Sequence, residues 1–142
     1  MSDGPAAPPA VRPRRVVTDR RGGRSSSPYD SFNLGGHVGD DPADVAANRD
    51  RLAAELGVAG DQVVWMTQVH GTGVAIVEDA EENPVADVDA LVTATPGLVL
   101  CVLVADCVPV LLDPPGRRSR CRPGIAGGRA SGAASCPPPW RP

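Results

Sequence analysis

Eight consecutive residues, Leu98-Val99-Leu100-Cys101-Val102-Leu103-Val104-Ala105, carry apolar side chains at every position, so both alternating faces of an extended chain would be hydrophobic there. A strand of that kind has to be covered on both sides, which excludes a simple two-layer sheet with one wet face and calls for a layered fold. The neighbouring segments supply the layers. Val16-Val17-Thr18 reads as a short first strand. Residues 62–69, 73–78, 88–94 and 108–112 are Val-rich runs bounded by Gly, Pro, Asn or Asp, the pattern of short strands in a sheet. Between the first strand and the others, Asp41 stands before Pro42 as an N-cap before a proline at the first helical position. Val45, Arg49, Leu52 and Leu56 then recur at helical spacing up to Gly57. The expected class is therefore α+β, a layered α/β sandwich with a mixed sheet.

Residues 1–15 are rich in Pro and Ala and have no hydrophobic period, so they read as a disordered leader, followed by a folded domain over residues 16–115. The composition breaks at Pro114-Pro115. Residues 116–142 hold six Arg, five Pro and five Gly but no acidic residue, Leu or Val, and are not core material. That stretch reads as a disordered, non-native-like tail, and a change of reading frame accounts for it better than a natural basic extension. Back-translation with G or C at free third positions, read from the old third base, turns residues 132–141 into Gly-Gly-Val-Val-Pro-Ala-Ala-Val-Ala. The same shift creates a His at the Gly124/Ile125 junction.

All 14 basic residues are Arg, they are scattered, the net charge is -3, and only four aromatic residues are present. A phosphate-tracking groove and a stacking platform for bases are both missing, so nucleic acid is not the expected partner. No apolar run approaches the ~20 residues that span a bilayer, and the start Met1-Ser2-Asp3-Gly4-Pro5 lacks the features of a signal peptide. The expectation is a cytoplasmic protein with no membrane partner. Cys101, Cys107, Cys121 and Cys136 have no regular spacing and read as free thiols. Nothing in the sequence selects an oligomeric state.

Chemistry concentrates on two residues. His70 in Gln68-Val69-His70-Gly71 and Cys107 in Ala105-Asp106-Cys107-Val108-Pro109 each stand at the end of a strand-like run. An imidazole and a thiol so placed are half of a zinc site, or a nucleophile with its base as in a cysteine hydrolase. The bland alternatives are a small buried residue beside a strand and a hydrogen-bonded residue at a turn. On the substrate side, Asn33 in Asn-Leu-Gly offers a donor and an acceptor to a base or ribose, or else simply makes a turn. His37 lies in a Gly-rich loop and is either a substrate contact or a packing residue. Gln68, two residues from His70, is a candidate substrate or supporting contact. Arg21, Arg24 and Arg49 are candidate phosphate contacts, against the commoner role of exposed surface. Asp87, Asp89 and Asp106 read as residues that cap strand ends or orient the site.

Four stretches together resemble one family. They are residues 27–41 (Ser-Pro-Tyr-Asp-Ser-Phe-Asn-Leu-Gly-Gly-His-Val-Gly-Asp-Asp), 65–71 (Trp-Met-Thr-Gln-Val-His-Gly), 86–93 (Ala-Asp-Val-Asp-Ala-Leu-Val-Thr) and 104–112 (Val-Ala-Asp-Cys-Val-Pro-Val-Leu-Leu). In this order and spacing they are similar to the laccase-domain family, also called polyphenol oxidase or multicopper oxidase. Its members act as purine nucleoside phosphorylases with adenosine deaminase and methylthioadenosine phosphorylase activity. The resemblance spans roughly residues 16–113 and implies the N-terminal half of such an enzyme, a truncated α+β fold, with a purine nucleoside and phosphate as substrates. It also implies that His70 and Cys107 bind zinc with a third ligand, a His of a later His-Ala-Gly segment. This chain has Arg, Gly, Pro and Ile where that His should fall, and the shifted frame restores one at Gly124/Ile125. Copper-dependent phenol oxidation, implied by the older family name, suits one His and one Cys poorly without a His or Met cluster. A further rival is an inactive truncated product or a non-enzymatic binding protein.

Overall fold

The computed structural model describes residues 13–112 together with the backbone of residues 124–128. Helix α1, Pro42–Leu56, starts and stops where the sequence signals lie. The Asp41 side chain accepts from the Ala43 N–H at 2.8 Å, Pro42 occupies the first turn, and Gly57 ends the helix in the left-handed conformation at φ 76°. Its buried stripe is Val45, Asn48, Leu52 and Ala53. Leu52 and Ala53 pack with Phe32, Leu34, Val63 and Trp65 into one apolar cluster.

Among the described residues six short strands follow: β1 Val63–Val64, β2 Val74–Ile76, β3 Ala90–Val92, β4 Val99–Leu100, β5 Val108–Leu112 and β6 Gly124–Gly128. Strands β1 and β4 form a parallel pair, and the other four form a mixed sheet in the order β2-β3-β6-β5. β2 and β3 run parallel, while β6 is antiparallel to both β3 and β5. The fold is thus mixed α/β. Pro109 is accommodated because β5 is an edge strand, paired on one side only.

The apolar run at residues 98–105 divides as its pattern demands. Val99, Cys101 and Leu103 pack against the helix-side cluster, whereas Leu98, Leu100 and Val102 pack against a second cluster of Val64, Met66, Val77 and Leu91. Residues 63–66 do the same in parallel with it, sending Val63 and Trp65 one way and Val64 and Met66 the other. These two segments are the wall between the two cores.

Several strands are shorter than their Val content suggested. Residues 62–69 pair as a ladder only at Val63–Val64, and residues 98–105 only at Val99–Leu100, the two positions at which β1 and β4 stand in register. Val16 and Val17 form no strand and are exposed, with 88 % of Val17 accessible. Propensity marks residues that suit a pleated surface, but a ladder also requires a partner in register. Within residues 116–142, read from the sequence as a tail, the described residues Gly124–Gly128 form β6 between β3 and β5. Ladder bonds use backbone groups alone, so a glycine-rich segment still satisfies the inner edges of two strands. The rest of that tail, and residues 1–12 of the expected leader, lie outside the described residues.

One face of the four-stranded sheet packs on the second core, and on the opposite face the described positions of β2 and β5 are exposed while Ala90 of β3 is buried. Ala75, Leu91 and Leu111 belong to the second core cluster. The alternate positions Val74 and Ile76 of β2 and Val108, Val110 and Leu112 of β5 are exposed, Val108 by 60 %. Among the described residues, no helix is long and apolar enough to cross a membrane.

Cys101, partly buried against the helix-side core, illustrates the cost of that environment. Burial pushes its thiol up to about 12 despite the opposing pull of Arg49. In the unfolded chain the thiol ionises near its ordinary 9.0, so the folded state keeps a proton that the unfolded state releases. Stability is therefore full below that value and falls as the pH rises from 9.0 towards about 12, at up to ~1.4 kcal/mol per pH unit. Urea melts at about pH 8 and about pH 10.5 are expected to show a smaller alkaline loss in Cys101→Ala than in the parent chain. Equal losses would show that this thiol does not set the alkaline limit.

Candidate functional site at the His70 and Cys107 pair

Residues 69–71 form a tight turn after the wall segment, and His70 takes a left-handed backbone there, with φ 58°. Such a conformation is uncommon for any residue with a Cβ and needs support from its surroundings. The support is Asp89, immediately before β3. Its Oδ1 accepts from the Val69 and His70 N–H groups at 3.1 and 2.7 Å, and its Oδ2 accepts from the Gly71 N–H at 2.8 Å. On the other side, Gln68 Oε1 accepts from the Leu103 N–H at 3.0 Å, joining the turn to the segment that leads to Cys107. Cys107 itself sits in the bend just before β5, half-buried.

The result is a convergence across 37 residues of sequence: Cys107 Sγ lies 4.0 Å from His70 Nδ1. The Asp106 Oδ1 is 3.9 Å from the same sulfur. With Zn–S near 2.3 Å and Zn–N near 2.0–2.1 Å, two ligands at a tetrahedral angle stand about 3.6 Å apart, so the pair fits two corners of a zinc site after closing by a few tenths of an ångström. The described residues contain no cluster of three or more His, Cys, Asp or Glu able to hold a metal. His37 is exposed in the 36–39 loop and does not complete such a cluster. The Gly124/Ile125 junction, where the shifted frame creates a His, pairs with Leu112 and Leu111. Four residues of strand separate Leu111 from Cys107, about 13 Å, so in this register that position does not reach the pair.

The other candidates fall into a separate cluster around helix α1. Asn33 closes on its own loop: Oδ1 accepts from the Gly35 N–H at 3.0 Å, and Nδ2 donates to Asp40 Oδ2 at 2.8 Å and the Gly35 carbonyl at 3.3 Å. The Asn33 amide, followed by Ser25, holds the Asp40 carboxyl below its ordinary range. Arg49 Nε donates to the Leu34 carbonyl at 2.9 Å, and its guanidinium lies 4.3 Å above the Trp65 ring. Burial draws the Arg49 guanidinium below its ordinary value, with the nearby Cys101 acting in the opposite direction. Arg24 is exposed and only loosely paired with Asp44, at 3.8 Å. Arg21 lines a shallow cleft of about 310 Å³ with Arg14 and Arg51.

The residue that organises this cluster is not among those the sequence motifs single out. Asn48, 1 % exposed, accepts from the Arg24 N–H at 2.8 Å through Oδ1. Its Nδ2 faces Ser25 Oγ, the Ser31 carbonyl and the Asn33 carbonyl at 3.0, 3.2 and 2.9 Å. The available signal was its position on the helix: Asn48 falls on the apolar stripe with Val45 and Leu52. A polar residue on a buried stripe has to have partners.

A family model described as multi-copper polyphenol oxidoreductase laccase matches residues 14–120. The chain belongs to this family. Both the His70 turn and the Cys107 bend lie within the matched residues. A purine nucleoside phosphorylase of Mycobacterium tuberculosis strain H37Rv is 60 % identical over 103 residues, covering 72 % of this chain and 41 % of the relative. A purine nucleoside phosphorylase of Corynebacterium glutamicum is 56 % identical over 108 residues, 74 % of this chain and 44 % of the relative. Among solved structures, YlmD from Geobacillus stearothermophilus superposes with a TM-score of 0.70 at 37 % identity, covering 77 % of this chain and 42 % of that one. YfiH from Bacillus licheniformis gives 0.69 at 32 % identity, with 78 % and 43 % covered. The chain spans about two fifths of the length of the curated relatives it matches.

Proposed function

We propose that this chain supplies the His70 and Cys107 part of a purine nucleoside phosphorylase. In that reaction phosphate attacks the ribose C1′ of adenosine or inosine, the glycosidic bond breaks, and the base and ribose 1-phosphate leave. The observation that carries the reading is the 4.0 Å approach of Cys107 Sγ to His70 Nδ1. Support comes from the relatives that bear the phosphorylase name at 60 % and 56 % identity over this same region. Phosphorolysis of methylthioadenosine and deamination of adenosine are the finer activities proposed with it.

Cys107 and His70 are the residues that would hold a zinc ion, a soft thiolate and a borderline imidazole being the donors that zinc prefers and copper sites extend with further His or Met. When bound, zinc supplies a Lewis acid and lowers the pKa of a coordinated water, which deamination at C6 of adenine needs. The chain's own contribution is orientation. Asp89 and Gln68 hold the two sides of the turn carrying His70, so the imidazole meets the thiol without searching rotamers or backbone states at the moment of reaction. Asn33, His37 and the Arg residues of the helix-side cluster are proposed to meet the nucleoside and phosphate.

The test is release of hypoxanthine from inosine and adenine from adenosine, with and without phosphate. It is run on this chain and on a version continued in the shifted frame to the relatives' length. Release that requires phosphate, and only in the longer version, is the expected result. Equal activity in the 142-residue chain would show that the added segment is dispensable. Phosphate-independent turnover that iodoacetamide abolishes in metal-free protein would move the assignment to a cysteine hydrolase.

A further inference from the structure

We infer that Asp89 is the positioning residue of this site: its carboxylate sets where the His70 imidazole stands relative to Cys107 without touching either side chain. The inference rests on the zinc and phosphorylase reading only for its effect on chemistry. Its structural part stands alone.

The carboxylate is 5 % exposed, and its hydrogen bonds come from three successive backbone N–H groups, Val69, His70 and Gly71. A buried carboxylate is costly, and here the compensation comes from convergent amide dipoles. Three consecutive N–H groups converge on one acceptor group only when the chain curls, and the left-handed His70 at φ 58° is the centre of that curl. Two further contacts make the clamp stiff. The Asp89 and Ala90 N–H groups donate to the Gly73 carbonyl at 2.9 and 3.1 Å, which ties the far side of the turn to the start of β3. Gly73 lies so close to residue 87 that an added Cβ would come within 2.9 Å of the Asp87 carbonyl oxygen. The turn therefore moves with β3 and not as a free loop.

An amide would fill the same space as the carboxylate and bury no charge, yet it would offer one acceptor oxygen in place of two and point an NH2 at one of the three N–H donors. Two acceptor oxygens facing three donors are what the geometry shows. His70 is delivered to Cys107 by its backbone, so the effect of Asp89 must appear as misplacement of the ring.

The test compares the full 142-residue chain with Asp89→Asn, using Asp79→Asn, an exposed bend residue, as the control for charge. Three measurements are made: amide exchange at residues 69–71, the proton–proton NOE between the His70 ring and the Cys107 β-protons, and zinc affinity by chelator competition. In Asp89→Asn, exchange at residues 69–71 is expected to accelerate at least ~10-fold while Val64 and Leu91 keep their protection. The NOE should vanish and zinc affinity should fall ~10–100-fold, the range for lost supporting partners of a ligand. Asp79→Asn should match the parent. An Asp89→Asn chain with the NOE intact and zinc affinity within about twofold of the parent overturns the assignment. A parent chain that takes up no zinc would sink the metal reading, leaving the NOE and exchange results to decide the role of Asp89. Should Asp89→Asn lose core protection, Asp89→Glu keeps the charge but displaces both acceptors by one methylene. It is expected to keep the core and lose the NOE, and a Glu variant retaining the NOE overturns the proposal.

Discussion

Cys107→Ala is expected to remove zinc from the site, weakening binding by more than the ~10–100-fold that loss of a supporting partner causes, because a ligand itself is gone. Cys101→Ala, six residues away, is expected to leave zinc affinity unchanged. The two thiols differ in environment and not in kind. Cys101 packs against the helix-side core beside Arg49, with its thiol pushed up to about 12, and is held as a neutral, inert group. Cys107 stands in the bend before β5, partly accessible, 4.0 Å from an imidazole. In the version extended to family length, phosphate-dependent purine release should fall with the metal in Cys107→Ala and persist in Cys101→Ala. Chelator competition and release of hypoxanthine from inosine check both statements. Zinc retained by Cys107→Ala at parental affinity would remove Cys107 from the ligand set.

Asn48→Leu is expected to be the most damaging single substitution on the helix, lowering unfolding free energy by about 3 kcal/mol or more. Leucine suits the apolar stripe on which residue 48 lies and has the same branched skeleton, though its methyl groups are bulkier than the amide, so hydrophobicity alone would favour it. The hydrogen bonds decide otherwise. The substitution leaves the Arg24 N–H without its acceptor and takes the donor away from Ser25 Oγ and the carbonyls of Ser31 and Asn33. Each unpaired buried group carries a desolvation cost of about 1–3 kcal/mol, reduced where the loop relaxes to admit water. Because Asn33 and Arg24 lie on the loop that Asn48 anchors, the same change should loosen the proposed substrate side while leaving the Asp89 clamp intact. Urea denaturation reads the first effect, and amide exchange at residues 24–33 against 69–71 reads the second. A loss below about 1 kcal/mol would show that water replaces the amide at little cost.

How much of this was legible depended on the range of the interactions involved. The helix was written locally: Asp41, Pro42 and Gly57 act on groups within a few residues, and the structure places the ends of α1 where those signals stand. The apolar run at residues 98–105 also declared its role, since alternation by itself assigns Val99, Cys101 and Leu103 to one side and Leu98, Leu100 and Val102 to the other. Strand lengths were not legible, because a ladder ends where its partner ends. Residues 62–69 look uniform in sequence, yet they pair with β4 at two positions and with Val85 through Met66 alone. The five glycine-rich residues of β6 carried no local strand signal; they are held by the edges on either side.

The sequence by itself determined the helix, the two-faced wall and the identity of the chemical groups, because caps, periodicity and side-chain chemistry act within one residue or one turn. Only the tertiary structure decided that His70 and Cys107 meet, that Asp89 curls the backbone to bring them together, and that Asn48 is a buried hub in place of a surface amide. Those outcomes depend on pairings across 15 to 37 residues, and a hydrogen bond of that separation leaves no periodic trace in either of the segments it joins.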